Sequence, residues 1–241
     1  MRKHLFLAAV SACAVIAPAA YGETIQIQYQ IGSGAIVTCS SVLPGPVVCT
    51  NQPGPPLAIT DLDANSNSPG TTAMSDETSS SLNLSNNSAM AQTIQIQVSA
   101  NDFNAPVGSN VALSSHVGGT VLLGGASTFS YQSCIDPSNA IKNLGGGVTC
   151  PSGSFASGVS TPSIASAGAF MDTQSKTIAL SGSYAIDEAY SITLAAGSEI
   201  NWSASTTLTG GTATPEPNSL ALAGLGLLGF SLLLKRVRRQ A

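Results

Sequence analysis

Few residues in this 241-residue chain suit covalent chemistry. It has two histidines, and the one clear of the chain's first residues is His116, in Ser114-Ser115-His116-Val117-Gly118-Gly119. Nucleophilic hydrolysis needs a base held against its nucleophile. Serines and acids are abundant enough that a Ser/His/Asp set can be drawn, but no G-x-S-x-G turn accompanies it. The Gly118-Gly119 pair reads as a turn, with His116 on a surface loop beside it. The adjacent carboxylates are Asp76-Glu77 and Asp187-Glu188. Glycoside hydrolysis needs two carboxylates flanking one bond, and neighbours along a strand point to opposite faces. No residue is therefore assigned a catalytic role, and the chain reads as a non-enzyme.

The best hint of a ligand is Asp61-Leu62-Asp63-Ala64-Asn65-Ser66-Asn67. Oxygen donors at Asp61, Asp63, Asn65 and Asn67 suit Ca²⁺ and match the opening of a calcium loop. The pattern then breaks, with Ser66 where the turn glycine belongs and Thr72 where the bidentate glutamate belongs. A solvated polar loop is the competing reading, and no cofactor beyond Ca²⁺ is suggested. Gly224-Leu-Gly226-Leu-Leu-Gly229 fits the dinucleotide spacing but lies in an apolar run with no acid about 20 residues on, so nucleotide binding is discarded.

The elements that would carry these residues read as strands. Residues 24–31 and 93–98 alternate apolar and glutamine positions nearly alike, which we read as shared strand chemistry. Further strands are expected at 110–115, 119–124, 127–133, 165–171 and 176–185. Tyr190, Ile192 and Leu194, a turn at 195–198, then Ile200, Trp202 and Ala204 read as a hairpin. Trp202, the sole tryptophan, is expected in the core. Many short strands between Gly/Ser/Pro turns imply an all-β fold: an antiparallel, jelly-roll-like β-sandwich. Two stretches lack periodicity, and long polar loops are expected at 51–90 and 136–163.

Charge and cysteine set the compartment. Only 8% of the residues are charged, against roughly a quarter in an average soluble domain. Between Glu23 and Pro217 stand two lysines and all twelve acids, a net −10. A body so acidic excludes nucleic acid as a partner and leaves neutral polysaccharide and divalent cations. Within it lie Cys39, Cys49, Cys134 and Cys150. An even count in an exported chain implies two disulfides. Three pairings exist; the local one, 39–49 with 134–150, is favoured. The absence of C-x-x-C knuckles argues against a metal site.

The two ends carry most of the hydrophobicity. Residues 1–22 combine a basic start, an apolar run and small residues Ala20 and Gly22 at −3 and −1 of a cut before Glu23, a secretory signal peptide. Val10-Ser11-Ala12-Cys13 offers a lipobox, but the apolar run continues past Cys13. At the other end, a linker at 210–218 holds Pro215, Glu216 and Pro217. An uncharged run at 219–234 follows, then a basic segment at 235–241 with Lys235, Arg236, Arg238 and Arg239. Sixteen helical residues span about 24 Å, slightly under the ~30 Å hydrocarbon core, and the flanking cations reach past the difference. They stay cytoplasmic, with 23–209 exported as the body.

This end resembles the PEP-CTERM sorting signal, in Pro215-Glu216-Pro217, the Ala221–Gly229 run and the terminal basic cluster, over about 214–239. The resemblance implies export by the general secretion machinery of a Gram-negative-type bacterium and recognition of Pro215, Glu216 and Pro217 by an exosortase. It implies an inner-membrane-anchored precursor, then a place on the cell surface or in an exopolysaccharide matrix. The expected role is therefore a non-enzymatic surface or matrix component. A carbohydrate- or calcium-binding adhesion module and a secreted hydrolase without a recognisable motif are the alternatives.

Overall fold

A computed structural model of the chain describes residues 23–211 apart from 44, 53–55, 125–127, 146–148 and 165. The expected signal peptide at 1–22, the Pro-Glu-Pro motif, the 219–234 run and the basic cluster fall outside the described residues. Among those described, no helix is long and apolar enough to cross a membrane.

Twelve strands follow one another: β1 (Thr24–Ile31), β2 (Val37–Val42), β3 (Val47–Gln52), β4 (Leu57–Ser66), β5 (Met74–Asn86), β6 (Gln92–Phe103), β7 (Gly108–Leu123), β8 (Thr128–Asp136), β9 (Phe155–Ala156), β10 (Gly168–Leu180), β11 (Tyr184–Leu194) and β12 (Glu199–Thr209). They form two six-stranded sheets, ordered β2-β1-β6-β11-β8-β9 and β10-β7-β12-β5-β4-β3. Every pairing is antiparallel. The expected all-β, two-sheet architecture is met.

The two glutamine-rich repeats are neighbours. β1 pairs with β6 so that Ile27 faces Val98, Tyr29 faces Ile96 and Ile31 faces Ile94, while Gln28 meets Gln97 and Gln30 meets Gln95. Identical alternation suits identical positions across a ladder, with one face in the core and the other outward.

Three expectations need correction. The 51–90 stretch is not a polar loop: it holds the whole of β4 and of β5. β5 turns Ser75, Glu77, Ser79 and Ser81 into the interior, so its buried face carries no hydrophobic alternation to read. Strands at 110–115 and 119–124 are one strand, β7, and Gly118-Gly119 lie within it rather than at a turn. A Cβ on Gly119 would stand 2.2 Å from the Asn201 carbonyl oxygen and 2.7 Å from Phe170 Cζ. The glycine is there for close packing.

The third correction concerns the apparent hairpin. β11 pairs with β6 and β8, whereas β12 pairs with β5 and β7, in the opposite sheet. The 195–198 segment therefore arches from one sheet to the other. Tyr190 and Trp202 face each other across the core at 4.5 Å between ring centroids. Buried Asn86 at the end of β5 clamps the arch. Its Nδ2 donates to Leu194 O at 2.9 Å and Ala195 O at 3.0 Å, and its backbone bonds Ser198 and Gly197.

Both disulfides follow the local pairing. Cys39–Cys49 joins β2 to β3, and so ties the two sheets at one edge; Cys134–Cys150 staples the 136–163 excursion to β8. Each closes a short loop, which the chain-entropy account values at about 3 kcal/mol. The excursion lies over the outer face of the first sheet. Lys142 N donates to Ser99 Oγ at 3.0 Å, Leu144 N to Gln28 Oε1 at 2.7 Å, and Asn139 exchanges bonds with Asp102. Trp202 is buried as expected, inside a ring cluster with Phe129 and Tyr190.

Candidate functional site

Two groupings of polar side chains stand out, one sealed in the core and one on the outer face of the second sheet.

The core grouping centres on Glu188 of β11, which is fully buried. Tyr131 donates to its Oε1 at 3.0 Å and Thr206 to the same oxygen at 2.8 Å; Tyr190 donates to Oε2 at 2.8 Å, where Ser79 also bonds. The network continues through Thr206 to Ser133 at 2.6 Å, and Ser133 donates to Ser115 at 2.8 Å. It links five strands across both sheets. Glu77 of β5, equally buried, faces the same region, and neither of its oxygens has a partner in hydrogen-bond geometry. Burial, then the charge of Glu188, pushes the Glu77 carboxyl well above the ordinary carboxylate range; the Ala100 backbone is the one group favouring its charged form. Burial also raises Glu188, against the pull of its four hydroxyl donors. A carboxyl without a partner in a dry core is held neutral.

On the other face of β11, beneath the excursion, Asp187 is raised to about 7, first by burial; Ser99 and Lys142 oppose this and Asp136 adds to it. Its Oδ1 accepts from Ser99 Oγ at 2.5 Å, and its Oδ2 has no partner. The two adjacent acid pairs thus split to opposite faces as expected, yet Glu77 and Glu188, one from each pair, converge. No sequence signal announces this, because Glu77 and Glu188 lie 111 residues apart in the chain. Perturbed carboxyls are often catalytic. Here all three are sealed from solvent, so no substrate reaches them, and the arrangement fastens one sheet to the other.

The outer face of the second sheet is different: a flat field of hydroxyls in register. Thr173, His116, Ser205, Thr78 and Asn65 form one row across β10, β7, β12, β5 and β4, and Gly118, Ser203, Ser80 and Asp63 form the next. Neighbours within a row stand one strand spacing apart, about 4.8 Å, and the two rows lie two residues apart along the strands, about 6.6 Å. Outward-facing Gly118 leaves a shallow trough of about 530 Å³, flanked by Ser80, Thr120, Asn201 and Ser203. A second depression of about 330 Å³ adjoins it, edged by Asp63, Thr78, His116 and Ser205. Half-buried Asp76 accepts from Thr207 at 3.0 Å; burial lifts its carboxyl and that bond opposes the rise.

His116 sits mid-strand in β7, not on a loop, and its Nδ1 meets Thr173 Oγ1 at 2.9 Å. Its hydrogen bond goes to a threonine, and among the described residues no carboxylate bonds its ring to orient a base. The Ca²⁺ candidates are also placed on a strand. Asp61, Asp63 and Asn65 stand at alternate positions of β4, roughly 6.6 Å apart along the chain, so the strand spreads them out instead of wrapping them round an ion at 2.3–2.6 Å. Asp63 Oδ1 accepts from Ser80 Oγ at 2.5 Å, and Asn67 Oδ1 from the Asp76 amide at 2.8 Å. Among the described residues, no three His, Cys, Asp or Glu side chains cluster to hold a metal.

No curated protein and no solved structure matches the chain. Residues 213–239 do match a family model, that of the PEP-CTERM protein-sorting motif. An all-β body with two disulfides is thus joined to a C-terminal tail carrying the PEP-CTERM protein-sorting motif, which implies export and exosortase sorting.

Proposed function

We propose that the chain is a non-enzymatic component of the cell surface or exopolysaccharide matrix. The general secretion machinery exports it behind the 1–22 signal peptide. The apolar 219–234 run and the basic cluster then hold it in the inner membrane while an exosortase acts at Pro215-Glu216-Pro217. The observation that carries this reading is the sorting motif at 213–239. Two disulfides support it, since they persist in oxidising compartments, as does the sealing of Glu77, Asp187 and Glu188 in the interior. The test is the intact mass of the protein recovered from the surface and culture fluid of its host. The expected species starts at Glu23, ends near 215–217 and is four hydrogens lighter than the reduced chain. A species keeping 219–241 and found only in membranes overturns the sorting step.

The hydroxyl field favours a second reading, a neutral-carbohydrate contact surface. Hydroxyls and the Asn201 amide exchange hydrogen bonds with sugar hydroxyls, and Asp61, Asp63 and Asp76 repel polyanions. Retention of the full chain on extracted exopolysaccharide, lost when Gly118→Arg fills the trough, supports this reading. Unchanged retention in that variant refutes it.

A further inference from the structure

β10 ends the second sheet, and its outer edge has no strand beside it. It is thirteen residues long, whereas the other terminal strands are short: β2 and β3 have six residues each and β9 has two. β2 and β3 are further tied together by Cys39–Cys49. Among the described residues, no backbone hydrogen bond from a turn or loop reaches β10. The edge runs in unbroken register from Gly168 to Ile178 and shifts only between Ile178 and Leu180, and a long unpaired edge is a template for another strand.

The charges on β10 indicate which strand. Lys176 is one of only two cations in the exported body, and Asp172 lies four residues before it on the same face. Along one extended strand they stand about 13 Å apart, too far to pair within the chain. Asp172 instead receives the Thr173 amide and the Gln174 side chain, and Lys176 reaches only the Ala156 carbonyl, at 3.4 Å. Gln174 lies midway between them.

We propose that β10 pairs antiparallel with β10 of a second copy of this chain, about a two-fold axis through Gln174. In that register Asp172 of each chain stands directly opposite Lys176 of the other, twice over, with Cβ atoms about 4.5–5.5 Å apart. Thr173 then faces Ser175 and exposed Met171 faces Thr177. Because residues of equal parity are paired, both sandwiches keep their cores on the same side and the two second sheets become one twelve-stranded sheet. Centring the axis on Asp172 or Lys176 sets like charges together, and centring it one residue to either side of Gln174 leaves both charges unpaired. The interface is isologous and closed. The proposal stands independently of the sorting reading.

The test is the sedimentation equilibrium of the full chain in a mild non-ionic detergent. D172K and K176D, each placing like charges opposite one another at two sites, are expected to weaken dimerisation about tenfold or more. The double variant D172K/K176D is expected to restore it. Under mild oxidation, Q174C is expected to give a covalent dimer, since the axis brings residue 174 against itself, whereas A179C is not. Trp202 emission reports that each variant is folded. A monomeric wild type, a dimer indifferent to the charge variants (as association through the apolar 219–234 run would give), failure of the double variant to restore pairing, or Q174C cross-linking no faster than A179C each overturns the proposal.

Discussion

Replacing Asp187 by Asn should remove a large part of the pH dependence of folding. Asp187 is fully buried between β11 and the 136–163 excursion. The groups facing it are Ser99 from β6, Asp136 from β8 and Lys142 from the excursion. Its carboxyl is raised from 3.8 to about 7, chiefly by burial. Below about pH 3.8 the acid carries its proton in both folded and unfolded chains, and its full contribution to stability is present. Between there and about pH 7 the unfolded chain releases the proton while the folded one keeps it, so stability falls as pH rises. The interval is about three pH units, each equivalent to about 1.36 kcal/mol. The loss therefore approaches about 4 kcal/mol by pH 8, a large share of the 5–15 kcal/mol that holds a typical domain. Asn does not titrate, can still accept from Ser99, and carries a pH-independent cost of its own for its amide. The informative quantity is the difference in unfolding free energy between D187N and wild type at each pH, from which that constant cost cancels. Urea unfolding of the full chain in mild detergent, followed by Trp202 emission, should show this difference moving in favour of D187N by about 4 kcal/mol between pH 4 and pH 8. A difference constant to within about 1 kcal/mol over that range refutes the reasoning.

Three further outcomes follow from the same structure. Glu77→Gln should stabilise the protein relative to wild type at pH 7 more than at pH 4, because the Glu77 carboxyl is held neutral in the core; the same melts check it, and an equal effect at both pH values counts against a buried neutral acid. Gly119→Ala forces a methyl group against the Asn201 carbonyl and the Phe170 ring, and overpacking of this kind costs about 1–3 kcal/mol, read as a lower urea midpoint; an unchanged midpoint contradicts the close packing. Cys39→Ser/Cys49→Ser unties the two sheets at one edge and should cost about 3 kcal/mol, measured against wild type under non-reducing conditions, with the gap closing when both are reduced.

The sequence by itself determined what depends on neighbours along the chain. The tail was legible because its three parts lie side by side in one order, and the local disulfides because ten and sixteen residues separate their cysteines. The alternation in β1, β6, β11 and β12 marked strands wherever one face is apolar. The same rule missed β5, where Ser75, Glu77, Ser79 and Ser81 fill the buried face with polar groups, and β4, where buried Leu57 and Ile59 stand out of phase with buried Leu62 and Ala64. It also took Gly118-Gly119 for a turn, because the reason for Gly119 is a ring from another strand. Only tertiary structure decided which sheet each strand joins. Residues 190–204 alternate alike as a hairpin or as an arch, since both bury the same side chains; Asn86, over 100 residues away, holds the arch. The meeting of Glu77 with Glu188 and the hydroxyl rows across β10, β7, β12, β5 and β4 arise the same way. Pairing register brings them together, and register is set by contacts between segments that the chain's order keeps apart.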